Sequence, residues 1–212
     1  MLQNYLKIAL RNLMRHRFFS LINIAGLAVG LTCCLLLGLY VQHELSYDRL
    51  HKKADRIVRV TMEYSVQGTT EHVPITGTKV FPAFKRIFPE VENGVRFYAM
   101  PTVEIVYNEQ RFAEEGFVYA DSTIFDVFSF KLSQGNPETA LSQPDAIVLT
   151  ESMAKKYFKN ESPIGKVLRV ENTRDYQVTG VMQDCPANSH IQFDFLVPFS
   201  NYPYAKTERW WG

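Results

Sequence analysis

The sequence has few cysteines, and none is placed to staple a fold. Of the three in 212 residues, Cys33 and Cys34 lie in one long apolar run and Cys185 stands alone beyond it. No pair can form after residue 44, so that part must be held by a core. Acidic residues are missing from the first 43 positions, the first being Glu44. There is also no excess of either charge. The formal net charge is +1, and after the four early basic residues 19 of 23 remain against 22 acidic ones. A weakly acidic outer part argues against a nucleic-acid partner.

Known nucleotide and nucleophile patterns are absent as well. Gly165-Lys166 is followed by Val167, with no glycine five residues before Gly165. The loop that cradles phosphates therefore fails, and no nucleotide cofactor is implied. No G-x-S-x-G turn occurs, which removes that nucleophile elbow. Ser189 and His190 are adjacent, with Asp194 close in sequence, but adjacency does not make a dyad. Cys185 and His190 have no second pair of ligating residues beside them, so no metal is implied. The chain reads as no enzyme.

What is present is an uncharged run from Phe18 to Val41. Its 24 residues make about 36 Å of helix, enough for a hydrocarbon core of about 30 Å. The run is too long for a signal peptide, and Tyr40-Val41-Gln42-His43-Glu44 offers no small-residue cleavage site. Thr32 before Cys33 does not fit a lipoprotein site either. The basic residues Lys7, Arg11, Arg15 and Arg17 all precede it, which places the N-terminus in the cytoplasm. Residues 1–17 read as an amphipathic basic interfacial helix, 18–43 as the transmembrane helix, and 44–212 as an extracytoplasmic domain. Within the span Gly26 and Gly30 form a G-x-x-x-G pair, a candidate helix-packing face.

Beyond the span, Glu44–Asp55 is expected to prolong the helix briefly. Residues 58–66 alternate as a half-buried strand, ended by Gly68. Pro82 falls in the first turn of a helix that Pro89 stops. Residues 103–107 and 111–119 pair around Asn108-Glu109-Gln110. Residues 122–128 form a short helix and 129–132 a strand. Ala146–Leu149 is an apolar strand, followed by a helix to Phe158 capped by Thr150 or Ser152. Residues 166–170 and 176–182 form a hairpin around Thr173-Arg174-Asp175. Residues 191–197 form a last alternating strand, and Pro186-Ala187-Asn188-Ser189 a turn before it. The fold class is α+β, with a β-α-β element at 56–107.

One set of motifs goes further. Leu10-Arg11-Asn12-Leu13, Ile22-Asn23-Ile24-Ala25-Gly26-Leu27-Ala28-Val29-Gly30 and Glu44-Leu45-Ser46-Tyr47-Asp48-Arg49-Leu50-His51 occur in order, then Ala54-Asp55-Arg56-Ile57. Phe128-Ser129-Phe130, Gly135-Asn136-Pro137, Pro163-Ile164-Gly165-Lys166, Val178-Thr179-Gly180-Val181 and Pro186-Ala187-Asn188-Ser189-His190 follow. The set resembles the MacB/FtsX-type ABC transporter permeases, especially those of Bacteroidetes. The resemblance implies a MacB-like periplasmic core domain behind the first helix, in a bacterial inner membrane. It implies a separate ATPase subunit, a second permease copy, and a role coupling ATP hydrolysis to export or extraction at the outer face. It also implies three further membrane helices. No second apolar span follows Val41 before Trp210-Trp211-Gly212, so the expectation is an N-terminal fragment of a permease. The alternative is a membrane-anchored extracytoplasmic sensor or binding domain.

The orientation has a direct test. With the domain unfolded, Cys185 should react with a membrane-impermeant thiol reagent only once the outer compartment is opened. Labelling from the cytoplasmic side overturns the topology.

Overall fold

The computed structural model describes residues 2–66 and 68–205. Trp210-Trp211-Gly212 lie outside the described residues. The chain divides into two units, 1–47 and 48–212.

The first unit is two helices, α1 (Leu2–Arg15) and α2 (Arg17–Glu44). Leu6, Leu10, Leu13 and Met14 recur at helical spacing along α1, with Lys7, Arg11 and Arg15 four apart on a neighbouring flank. Helix α2 is long and apolar enough to cross a membrane, and none of its residues is buried by protein. It stops at Glu44 and does not run on toward Asp55 as expected. Residues 45–50 are turns, Asp48 has φ 55, and only a 3-10 turn at Ala54–Arg56 follows.

The second unit starts with β1 (Met62–Val66) and β2 (Thr69–Val73), then α3 (Val80–Ile87). Strands β3 (Phe97–Met100), β4 (Val103–Tyr107), β5 (Gln110–Glu114) and β6 (Phe117–Ala120) precede α4 (Ile124–Val127). Next come β7 (Leu132–Gln134), β8 (Ala146–Thr150) and α5 (Glu151–Phe158). The last strands are β9 (Val167–Val170), β10 (Arg174–Met182) and β11 (Phe195–Pro198).

Nine strands form one mixed sheet in the order β3-β6-β11-β8-β10-β9-β4-β5, with β7 on the far end of β10. Strand β8 explains the layering. All five of its residues are buried, so both faces of the sheet must be covered. Ile147 and Leu149 point into one cluster with Ala154, Tyr157 and Phe158 of α5. Val148 points into the other, with Ile124, Phe128, Phe130, Ala140 and Leu141. Each large apolar side chain buried this way contributes about 1.5–3 kcal/mol. Helix α5 is capped by Thr150, whose Oγ1 accepts from the Met153 N–H, while Ser152 is engaged elsewhere. The buried carboxylate Glu114 accepts from the Tyr157 hydroxyl at 2.6 Å and from Lys156 Nζ, so its charge is compensated.

Several local expectations change in the fold. The β1–β2 pair is a separate two-stranded sheet, so no β-α-β unit forms at 56–107. Its residues are mostly exposed: of the ten, only Met62 and Val73 are partly buried among the described residues. The parallel crossover lies instead at β8-α5-β10, where β8 and β10 run parallel. The single return strand at 111–119 is two strands, broken where Gly116 takes φ 69. The 129–132 strand lies at 132–134, paired with β10. The hairpin turn falls at 171–173, with positive φ at Glu171 and Asn172. Strand β11 is buried at every residue rather than alternating, because Phe195 and Val197 enter one core cluster and Leu196 the other.

Gly135 shows why its motif carries glycine. It has φ 94, and a Cβ there would stand 2.5 Å from the Thr179 carbonyl oxygen. Gly165 has φ 84, but a Cβ there would meet only Gln177 Nε2, at an ordinary 4.0 Å. Gly135→Ala should therefore cost about 2–3 kcal/mol of outer-domain stability and Gly165→Ala about 1 kcal/mol. Urea midpoints of the two variants decide this, and equal losses would overturn the steric reading.

Candidate functional site

The segment that opens the second unit is bound to a loop 142 positions away. Asp48 adopts a left-handed backbone that aspartate tolerates better than most residues. Its N–H donates to the Asn188 carbonyl at 3.0 Å. Its Oδ1 accepts from the His190 N–H at 3.0 Å, and Oδ2 lies 2.7 Å from His190 Nδ1. The His51 N–H donates back to the Asp48 carbonyl at 3.3 Å, closing the turn.

The receiving loop is rigid in its own right. Ser189 is buried, its N–H donates to the Pro186 carbonyl, and its Oγ donates to the Ile191 carbonyl at 3.1 Å. Gln192 Nε2 donates to both the Pro186 and Ser189 carbonyls. The expected turn at Pro186-Ala187-Asn188-Ser189 is thus braced from two sides.

A second attachment uses His51, which is 5% exposed. Its Nδ1 accepts from the Ser129 N–H at 3.1 Å, so in the neutral ring the proton sits on Nε2. That Nε2 has no hydrogen-bond partner among the described residues. The ring stands edge-on to Phe128 and Phe130, at centroid distances of 5.0 and 5.2 Å. The Lys52 N–H donates to Ser129 Oγ at 2.9 Å, and Lys53 Nζ to the Asp126 carbonyl at 3.1 Å. Residues 48–53 are therefore clasped by two loops, 186–190 and 126–129.

The electrostatics match a clasp. Burial alone pushes the Asp48 carboxyl up, but the His190 N–H, the His190 ring and His51 outweigh it, leaving its pKa below 3.8. Burial lowers the His51 pKa from 6.5, opposed in part by the Asp48 charge. The ring is thus held neutral, as its acceptor role toward Ser129 requires.

The other sequence candidates are dispersed. Ser189 and His190 do not face each other as nucleophile and base: Ser189 Oγ serves Ile191, and His190 Nδ1 serves Asp48. Asp194 accepts from Thr150 Oγ1 at 3.2 Å, and burial pushes its carboxyl up. The Cys185 thiol points at the Phe193 carbonyl at 3.6 Å, and burial raises its pKa. No group of three or more metal-ligating side chains occurs among the described residues. Asp184, Asp194 and Ser152 border a cleft of about 480 Å³. Asp184 there is bound by the Ser152 N–H and hydroxyl, which hold its carboxyl below the usual range. Gly26 and Gly30 lie on α2 with open space where a Cβ would stand.

Periodicity and composition did not reveal the clasp. Asp48 and His51 stood out only as members of the motif set, His190 also as a candidate dyad or metal residue, and no local rule pairs residues so distant. The signal was the co-occurrence of two polar motifs in segments without amphipathic period.

The MacB-like periplasmic core domain family matches residues 20–211. Among solved structures, a domain assigned to a permease protein of Porphyromonas gingivalis is 26% identical, with a TM-score of 0.60. The alignment covers 68% of this chain and 61% of that one, so the chain spans about three-fifths of that relative's length. The periplasmic region of MacB from Actinobacillus actinomycetemcomitans is 24% identical over 52% of this chain and 51% of its own, with a TM-score of 0.41. The extracellular domain of the noncanonic ABC-type transporter YknZ from Gram-positive bacteria is 22% identical over 51% and 55%, also at 0.41. No curated protein matches at a significant level.

His51 makes the clasp acid-sensitive. Unfolded, it titrates near 6.5; folded, lower. As pH falls below 6.5 the unfolded chain takes a proton that the folded ring refuses. Stability therefore declines with falling pH and levels off below the folded pKa. Asp48 adds a separate loss that begins below 3.8, as its lowered pKa is crossed. His51→Gln keeps an acceptor for Ser129 and should flatten the slope just below pH 6.5, leaving the more acidic loss in place. Urea midpoints across pH measure this, and an unchanged slope in the variant refutes the assignment.

Proposed function

We infer what this chain does from one premise: it belongs to the family of MacB-like periplasmic core domains. It is a permease component of an ABC transporter, and not an enzyme. Helix α2 is the membrane anchor of an inner-membrane protein, with α1 on the cytoplasmic surface and residues beyond about 44 in the periplasm. The one-sided basic flank supports this orientation. A separate ATPase subunit drives it from the cytoplasm, and a second permease copy stands beside it. The open face at Gly26 and Gly30 packs against a neighbouring helix, where small residues permit close backbone approach.

The clasp is the observation that carries this reading. A displacement arriving along the chain at Tyr47 enters the outer domain at Asp48. There it meets hydrogen bonds to two loops on the sheet rather than a slack linker. A substrate handled at the outer face then feels work done at the inner one.

Two variants of the permease, reconstituted with its ATPase, separate coupling from assembly. Asp48→Ala should assemble and hydrolyse ATP while transport falls about tenfold, the factor carried by about 1.4 kcal/mol of lost coupling. Gly26→Leu with Gly30→Leu should insert and fold its outer domain but fail to assemble. Full transport by the first variant sinks the coupling role, and recovery of the complex with the second makes the glycines incidental.

A further inference from the structure

The first unit contains a notch that the proposed function does not use. It is a shallow, open groove of about 260 Å³ between α1 and α2, with Leu10, Leu13 and Met14 on one wall and Leu21 and Ile24 on the other. Arg17, the first residue of α2, also lines it. Leu10, Leu13 and Met14 are 57%, 44% and 65% exposed, so none of the described residues covers the wall.

Charge decides what fits. Arg17 is accompanied by Lys7, Arg11 and Arg15 along one flank of α1, and no acidic residue precedes Glu44. A second apolar helix in the notch would leave four cations uncompensated, and a zwitterionic lipid would bring no net charge. A phospholipid of net negative charge answers both walls and rim. Guanidinium groups bind phosphate oxygens in bidentate fashion, and the aliphatic walls accept an acyl chain.

We propose that the notch between α1 and α2 is a binding site for one anionic phospholipid, its acyl chain among Leu10, Leu13, Met14 and Ile24 and its phosphate on Arg17 beside Arg11. This rests on the reading of α2 as a membrane span.

The test uses the full chain in phosphatidylcholine vesicles doped with phosphatidylglycerol, with the lipid retained after gentle extraction counted by native mass spectrometry. One phosphatidylglycerol should be retained in preference to phosphatidylcholine. Arg11→Gln and Arg17→Gln should each lower retention about fivefold, the worth of one basic residue near an anionic surface, and about 25-fold together. Leu13→Trp should fill the notch and lose the lipid with every charge kept. Equal retention of the two lipids, retention unaffected by Leu13→Trp, or displacement of the lipid by inorganic phosphate alone overturns the site. A chain that carbonate strips from the vesicles overturns the span and the site together, whereas an inserted chain without preference overturns the site alone.

Discussion

Burial of β8 on both faces is the constraint on which the outer domain depends. A strand with no exposed residue cannot rest on a single layer, because its alternate side chains point opposite ways. Helix α5 answers one face and the aromatic and aliphatic residues of 124–141 answer the other. The second of these layers includes Phe128 and Phe130, the rings that hold His51. The segment that follows α2 in the chain is thus seated on the core layer itself.

That seating has a chemical consequence. A histidine in an aromatic cage gains van der Waals contact and gives up its charge, since desolvation penalises the imidazolium. The neutral ring then accepts from the Ser129 N–H, a partly buried backbone donor. Asp48 stays ionised nearby because the His190 backbone N–H and ring favour its charge over the cost of burial. One carboxylate and one neutral imidazole, three residues apart, therefore play opposite electrostatic parts.

The α+β class, α1, α2, the cap at Thr150 and the β9–β10 hairpin were legible because each rests on local pattern: a long uncharged run, a capping hydroxyl, two apolar strands close in sequence. The sheet order was not. Alternation at 58–66 spoke for a half-buried strand, yet β1 found only β2, since alternation shows that a strand can pair and not with what. Gly116 split one apparent strand into two through its backbone, a conformation that composition does not display. The clasp was half visible: the motif residues were recognisable as a set, but the contact between Asp48 and His190 is a product of tertiary closure.

The position of β11 also governs the order in which the domain can be completed. Strands β3 and β6 form one piece of the sheet and β8, β10, β9, β4 and β5 another, and β11 alone lies between them. Among the described strands it comes last in the chain, 74 residues (121–194) after β6. At a synthesis rate of about 5–20 residues per second, β6 waits about 4–15 s for its partner. Through that interval the free edge of β6 stays bare, and that of β8 from the time it is made, open to pairing with any other chain nearby.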